Sequence, residues 1–278
     1  DLDSLWHFGG EETERRAGRE KPQPAPAVER FDSSGHYVLR PRSEVFLRLE
    51  CGHWGDGRTW AHSHADRLSI SLFIAGRPIL VDPGTGFYLS DRSFREFFRS
   101  TQAHNTLTVD GQSQSDPLAV FLWGDPVESR IIELAEDADK IVIEGEQTGY
   151  SFGARWRMGV VHRRRIVAPR NIRRLEIEDI VQTVVPHELC LNFSFHPDCQ
   201  IIQGNGENRA VEVRSGPWKI RLLTDKRLAA SFHLGQDEPR RGWYSPAFKQ
   251  VVPAPQICCR TETEVDLSLR TVIEWEAD

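Results

Sequence analysis

The chain has 278 residues, 39% apolar and 27% charged, the proportions of a soluble globular protein long enough for one large core or two smaller ones. Its formal net charge of −6 gives no reason to expect nucleic acid. No apolar run approaches the roughly 18 residues of a membrane span.

Residues 1 to about 30 differ from the rest. Ser4-Leu5-Trp6-His7-Phe8 resembles the end of an apolar element, Glu11 to Glu20 is charged, and Lys21 to Ala27 is a proline-rich extended stretch. The expected organisation is a linker with the remnant of an upstream domain over 1–30, and one β domain over 31–278. No secretory leader stands at the start, and the opening Asp1-Leu2-Asp3 reads as a mature product or an excised piece.

From Phe31 onward strand signals dominate. Val45–Glu50 is the first clear strand, followed by a Gly-rich loop at 52–57. Next comes Trp60-Ala61-His62-Ser63-His64-Ala65-Asp66. On a strand, His62, His64 and Asp66 would share one face, because side chains alternate with period two. Leu68–Ile74 reads as a strand, 75–78 as a turn, and Ile79–Gly84 as the returning strand, which brings Asp82 toward the histidines. In 90–99, Phe94, Phe97 and Phe98 mark one helical face, with Ser90 as a possible N-cap. His104-Asn105 opens a further strand, Thr106–Val109.

After residue 127 the pattern repeats as short strands: Val127–Ala135, Lys140–Glu146, Arg155–Val167, Arg173–Val181, Glu188–His196, Val211–Val213, Lys219–Thr224, Ile257–Thr261 and Ser268–Trp275. Turn signals such as Pro169-Arg170-Asn171 and Ser215-Gly216-Pro217 separate them. The expected fold class is all-β, a large antiparallel β-sandwich with one short helix. The five cysteines have no regular spacing and no C-x-x-C pair, so neither a disulfide framework nor a thiolate zinc site is expected. Cys190 and Cys258 read as buried, apolar-like thiols.

Two imidazoles two residues apart, with Asp82 and His104 nearby, form a candidate metal group. Zinc takes imidazole nitrogen and carboxylate oxygen, usually with three protein ligands where one position stays open. Not every member need be a ligand. One histidine can keep a free nitrogen for a substrate, and Asp66 can orient a ring from behind. The competing reading is a set of scattered polar residues satisfied by the backbone. Arg155 and Arg157 share a strand face and could meet an anionic sugar bidentately, although a solvated sheet face is the usual explanation for them and for Arg163-Arg164-Arg165 and carries the larger share. His162, His187, His196 and His233 lack partners at ligand spacing and read as structural.

His62-Ser63-His64-Ala65-Asp66, Gly76-Arg77-Pro78-Ile79-Leu80-Val81-Asp82-Pro83-Gly84-Thr85-Gly86, Phe98-Arg99-Ser100-Thr101-Gln102-Ala103-His104-Asn105-Thr106 and Val109-Asp110-Gly111 resemble, in order and spacing, the heparinase II/III-like polysaccharide lyases. The likeness is specific over roughly 35–115 and looser to the end, through His162-Arg163-Arg164 and Phe195-His196-Pro197. It implies a super-sandwich domain that follows an α/α toroid, the toroid being absent from this chain. It also implies β-elimination of uronic-acid polysaccharides. By the resemblance, His62 is the catalytic cleft histidine. His64, Asp82 and His104 hold a metal, Zn2+ by preference, with Ca2+ or another divalent ion as alternatives. Arg99 and Asn105, with Arg155 and Arg157, are the candidate substrate contacts. The partners implied are an anionic polysaccharide and the toroid itself, with no membrane span, and the location implied is periplasmic or secreted. The family's catalytic tyrosine and carboxylate-neutralising groups come mainly from the toroid, so this chain alone is expected to be inactive.

Two other functions compete. One is a non-catalytic carbohydrate-binding or structural sandwich with the metal as a staple. The other is a cupin-type metalloenzyme, which would want a glutamate shortly after the second histidine, where this chain has Asp66 and an apolar strand.

Overall fold

The structure is a computed structural model that describes residues 25–54, 60–151, 158–203 and 210–278. Arg155, Arg157 and the segment 1–24 lie outside the described residues.

Five strands follow one another as an antiparallel meander: β1 (Val28–Phe31), β2 (His36–Leu39), β3 (Val45–Glu50), β4 (Ile70–Ile74) and β5 (Arg77–Leu80). In β3, Val45, Leu47 and Leu49 are buried while Phe46 and Arg48 on the opposite face are half-buried, the period of two that a half-covered strand requires. β4 turns into β5 through Ala75 and Gly76, whose φ values of 49° and 75° are those of a tight hairpin turn. Pro78 therefore lies within β5, where it is tolerated because β5 is the edge of its sheet. β1 starts at Val28, inside the stretch expected to be linker, because it pairs with β2 from Val28↔Leu39 onward.

An eight-stranded sheet runs in the order Gln200–Gln203, Ala210–Ser215, Trp218–Thr224, Leu267–Ala277, Arg174–Gln182, Val160–Pro169, Lys140–Tyr150 and Ser129–Glu136. A four-stranded sheet is built from Ala229–Leu234, Pro255–Thr263, His187–Ser194 and β6 (Leu107–Val109). The four- and five-stranded sheets meet edge to edge. Val81 N–H donates to Ser194 O at 3.0 Å and His196 N–H to Ile79 O at 3.1 Å. All three sheets share one core, with Leu47 and Leu72 from the meander, Ile143, Ile166 and Ile177 from the large sheet, and Leu191, Phe193 and Ile257 from the third. The expected all-β sandwich is what forms.

Several local expectations are corrected. The segment 60–68 is a loop and not a strand; its backbone groups bond to Trp60, Arg99 and Glu50 instead of to a ladder. The helix α1 (Arg92–Phe98) is capped by Asp91, whose carboxylate accepts the Phe94 N–H at 3.0 Å, and Ser90 lies outside it. Strand Ala229–Leu234 and the hairpin Trp243–Ala247/Gln250–Pro253 were not anticipated, since turn residues interrupt their apolar pattern. All five cysteines are buried and free.

Candidate functional site

The site is assembled on the 60–68 loop, the end of β5 and the turn after α1. The loop is pinned along its length. Arg95 donates to Ala61 O at 2.9 Å, Trp123 Nε1–H to Ser63 O at 2.9 Å and Ala65 N–H to Arg99 O at 2.9 Å. Thr101 Oγ1–H donates to Ala65 O at 2.6 Å. Beyond β5, the Pro83-Gly84-Thr85-Gly86 turn is glycine-dependent. Gly84 and Gly86 have φ of 83° and 67°, and a Cβ at Gly86 would lie 2.6 Å from the Phe98 ring.

These anchors bring His64, Asp82 and His104 together, with one donor atom of each inside 4.8 Å of the others. His64 Nδ1 is 3.2 Å from His104 Nε2, which is 3.9 Å from Asp82 Oδ2. His104 Nδ1 lies 2.8 Å from Ser100 O, so the ring donates there and turns its Nε2 lone pair inward. Burial, then the neighbouring His104, pulls the His64 pKa down to about 4, which keeps that ring neutral at physiological pH. Burial pushes the Asp82 carboxyl up, but His104, His64, the Gly84 N–H and Arg48 together outweigh it and hold it below the usual range. Two imidazoles and an ionised carboxylate are the donor set zinc prefers. Donors about 2.0–2.1 Å from a tetrahedral zinc stand about 3.3 Å apart, close to the 3.2 Å between His64 Nδ1 and His104 Nε2. Calcium fits poorly, since it takes about 6–8 oxygen ligands and this group offers one carboxylate.

His62 faces the other way. It is exposed, and its Nδ1 lies 3.5 Å from the Tyr88 hydroxyl. The Tyr88 ring lies between Phe121 and Phe248, with centroids at 5.3 and 5.5 Å, and the Arg95 guanidinium sits 5.0 Å from it. Phe121 and Phe248 are exposed beside this pair, as is Leu89, which follows Tyr88 in the chain. Tyr88 was not singled out from the sequence; the one signal was the aromatic pair Phe87-Tyr88 after the glycine-rich turn.

Arg99 and Asn105, expected to touch substrate, are fully buried and occupied. Arg99 grips Glu96 with two nitrogens, at 2.7 and 3.1 Å, and lies 4.7 Å from the Trp123 ring. Asn105 Nδ2–H groups donate to Ile70 O and Val81 O at 2.8 and 2.9 Å, and its Oδ1 accepts from Ser194 N–H at 2.6 Å. One side chain thus ties β4, the end of β5 and the third sheet beside His104. Asp66 makes no hydrogen bond to either ring among the described residues; its carboxylate faces Arg67 at 3.3 Å. Arg163 and Arg165 lie on the solvated face as expected, but the period of two turns Arg164 inward. Its guanidinium holds Asp179 and donates to Leu68 O and Asn105 O at 2.8 and 2.5 Å.

The family model described as "Heparinase II/III-like, C-terminal" matches residues 23–276. The chain belongs to this family. Among solved structures, this family member's fold matches heparinase III, the BT4657 gene product, at TM-score 0.75 and 16% identity, over 99% of this chain and 39% of that one. It matches the heparan sulfate lyase HepC from Pedobacter heparinus at TM-score 0.74 and 14% identity, over 99% and 39%. A further heparinase III matches at TM-score 0.69 and 17% identity, over 93% and 37%. The chain spans about 40% of the length of these proteins. No curated protein sequence matches it. Among the described residues, no helix is long and apolar enough to cross a membrane.

Proposed function

We propose that this chain is the C-terminal sandwich of a polysaccharide lyase that cleaves an anionic, uronic-acid-containing polysaccharide by β-elimination. The observation that carries the proposal is the division between neighbouring histidines: His62 is exposed beside Tyr88, while His64 is turned against His104 and Asp82. In the elimination a base takes the proton at C5, and its electron pair becomes the C4–C5 double bond. The C4–O bond breaks and the departing oxygen takes up a proton. His62 is the base or the partner of the substrate carboxylate, and the Tyr88 hydroxyl steadies its ring. His64, Asp82 and His104 would hold a zinc ion whose charge locks the 60–68 loop to β5 and the turn after α1. The loop that presents His62 then keeps its position without the ion entering the chemistry.

The test uses the full-length protein. His62→Ala should abolish unsaturated product, followed by ultraviolet absorbance, and keep its zinc. His64→Ala should lose both. Loss of zinc in His62→Ala with His64→Ala unaffected would reverse the assignment. The half-buried Tyr88 ring and the exposed Phe121 and Phe248 rings also favour a second reading, a sugar-binding sandwich without catalysis; binding of polysaccharide without any cleavage by the full-length protein would select it.

A further inference from the structure

A concavity lies on the outer face of the five-stranded sheet, and Asp82 of the metal group is part of its lining. It has a volume of about 410 Å³, within the ~300–1,000 Å³ of small-molecule pockets. Its apolar lining includes Phe46 and Phe73, packed edge to face with centroids 5.6 Å apart. Its polar groups converge from five places: Arg48 from β3, Ser71 from β4, Asp82 after β5, His196 from the end of the third sheet, and Tyr244 from the hairpin at 243–253. Arg48 has one ion pair among the described residues, a long one of 3.6 Å to Asp82 Oδ2, which leaves most of its fork unused. Asp198 N–H donates to His196 Nδ1 at 3.2 Å, so the neutral ring carries its proton on Nε2 as a donor. The Tyr244 hydroxyl has no hydrogen-bond partner among the described residues, and its ring packs against His196 at 5.4 Å.

We infer that this cleft binds one acidic sugar residue, with its apolar ring face on the Phe46–Phe73 wall and its carboxylate on the Arg48 guanidinium. Arg48 presents the planar fork that matches a carboxylate, and His196 and Tyr244 supply hydrogen-bonding groups for hydroxyls. Asp82 Oδ2 lies between Arg48 and His104, so the same oxygen faces both the cleft and the metal group. The inference rests on the proposed cation there only for the strength of its preference for anions, since a cation taking up Asp82 leaves Arg48 unopposed. The cleft shares no lining residue with the His62–Tyr88 surface, and a polymer bound at both would be held at two points.

The experiment titrates the protein with D-glucuronate and with D-glucose, with and without zinc, and reads affinity by calorimetry or ligand-observed NMR. Arg48→Met should weaken glucuronate at least tenfold under both conditions, Arg48→Lys less, and Tyr244→Phe severalfold. Glucose should bind more weakly than glucuronate and be indifferent to Arg48→Met. Equal glucuronate affinity in Arg48→Met and wild type, no glucuronate binding by wild type, or glucose binding as tight as glucuronate would each overturn the cleft. Loss of binding in His62→Ala but not in Arg48→Met would overturn it too, by placing the sugar at the His62 surface. A protein that takes up no zinc, or cleaves nothing, yet binds glucuronate through Arg48 would uphold the cleft while the proposed metal or lyase reading fails.

Discussion

His104 illustrates how much of this site depends on single atoms. Its Nδ1 is committed to Ser100 O, and that commitment aims its Nε2 at His64 and Asp82. His64→Ala or His104→Ala should therefore leave less than stoichiometric zinc by elemental analysis, and should make the melting temperature insensitive to a chelator. A chelator should lower the melting temperature of wild type. Wild type that holds no zinc and melts unchanged with chelator would contradict the metal reading. At Gly86 the demand is steric: φ is 67° and a Cβ there would meet the Phe98 ring at 2.6 Å, so Gly86→Ala should cost about 1–3 kcal/mol in urea unfolding. Gly76, in the β4–β5 turn, has space for a Cβ but a similar φ of 75°, so Gly76→Ala should cost less.

At the scale of elements, one buried ion pair ties the large sheet to the site. Arg164 and Asp179 are direct cross-strand partners, and Arg164 reaches past Asp179 to the carbonyls of Leu68 and Asn105, near His64 and next to His104. Removing one partner of a buried pair leaves an uncompensated charge, so Asp179→Ala should cost about 3–5 kcal/mol. It should also weaken zinc binding, because both ligand-bearing segments lose their shared anchor. His162 completes the group, its Nε2–H donating to Asp179 Oδ1 at 2.7 Å. Burial pulls the His162 pKa down against the pull of Asp179. Burial pushes Asp179 up, but Arg164 and His162 outweigh it and hold the carboxyl below its usual range. Both groups therefore bind protons more weakly folded than unfolded, and their stabilisation is present above the unfolded pKa values and lost as pH falls. Stability should decline below about pH 6.5 and further through about pH 3.9, the unfolded values for histidine and aspartate. Melting temperature against pH measures this, and His162→Gln should flatten the upper part of the curve. A wild-type melting temperature constant from neutrality to pH 4 would contradict it.

For the whole molecule, the consequence is incompleteness. The chain spans about 40% of the length of the heparinases it matches in structure. A base without groups to neutralise the substrate carboxylate and protonate the leaving oxygen stabilises little of an elimination transition state. The isolated chain should fold, bind zinc and form no detectable unsaturated product. Robust cleavage by the isolated chain would refute that division of labour. The all-β class, most of the strands and the grouping of His64, Asp82 and His104 were legible in the sequence, because alternation and turn chemistry act over a few residues and the motif spacing carries the family likeness. The sequence did not determine that His62 and His64 lie on a loop facing different surroundings, because that depends on Arg95, Thr101 and Trp123 arriving from elsewhere in the chain. Nor could it show that Arg99 and Asn105 are internal clamps, that Arg164 points inward while its neighbours do not, or that Tyr88 stands beside His62. Burial and partner choice are set by which sheets close on one another, and that is decided only when the three sheets share their core.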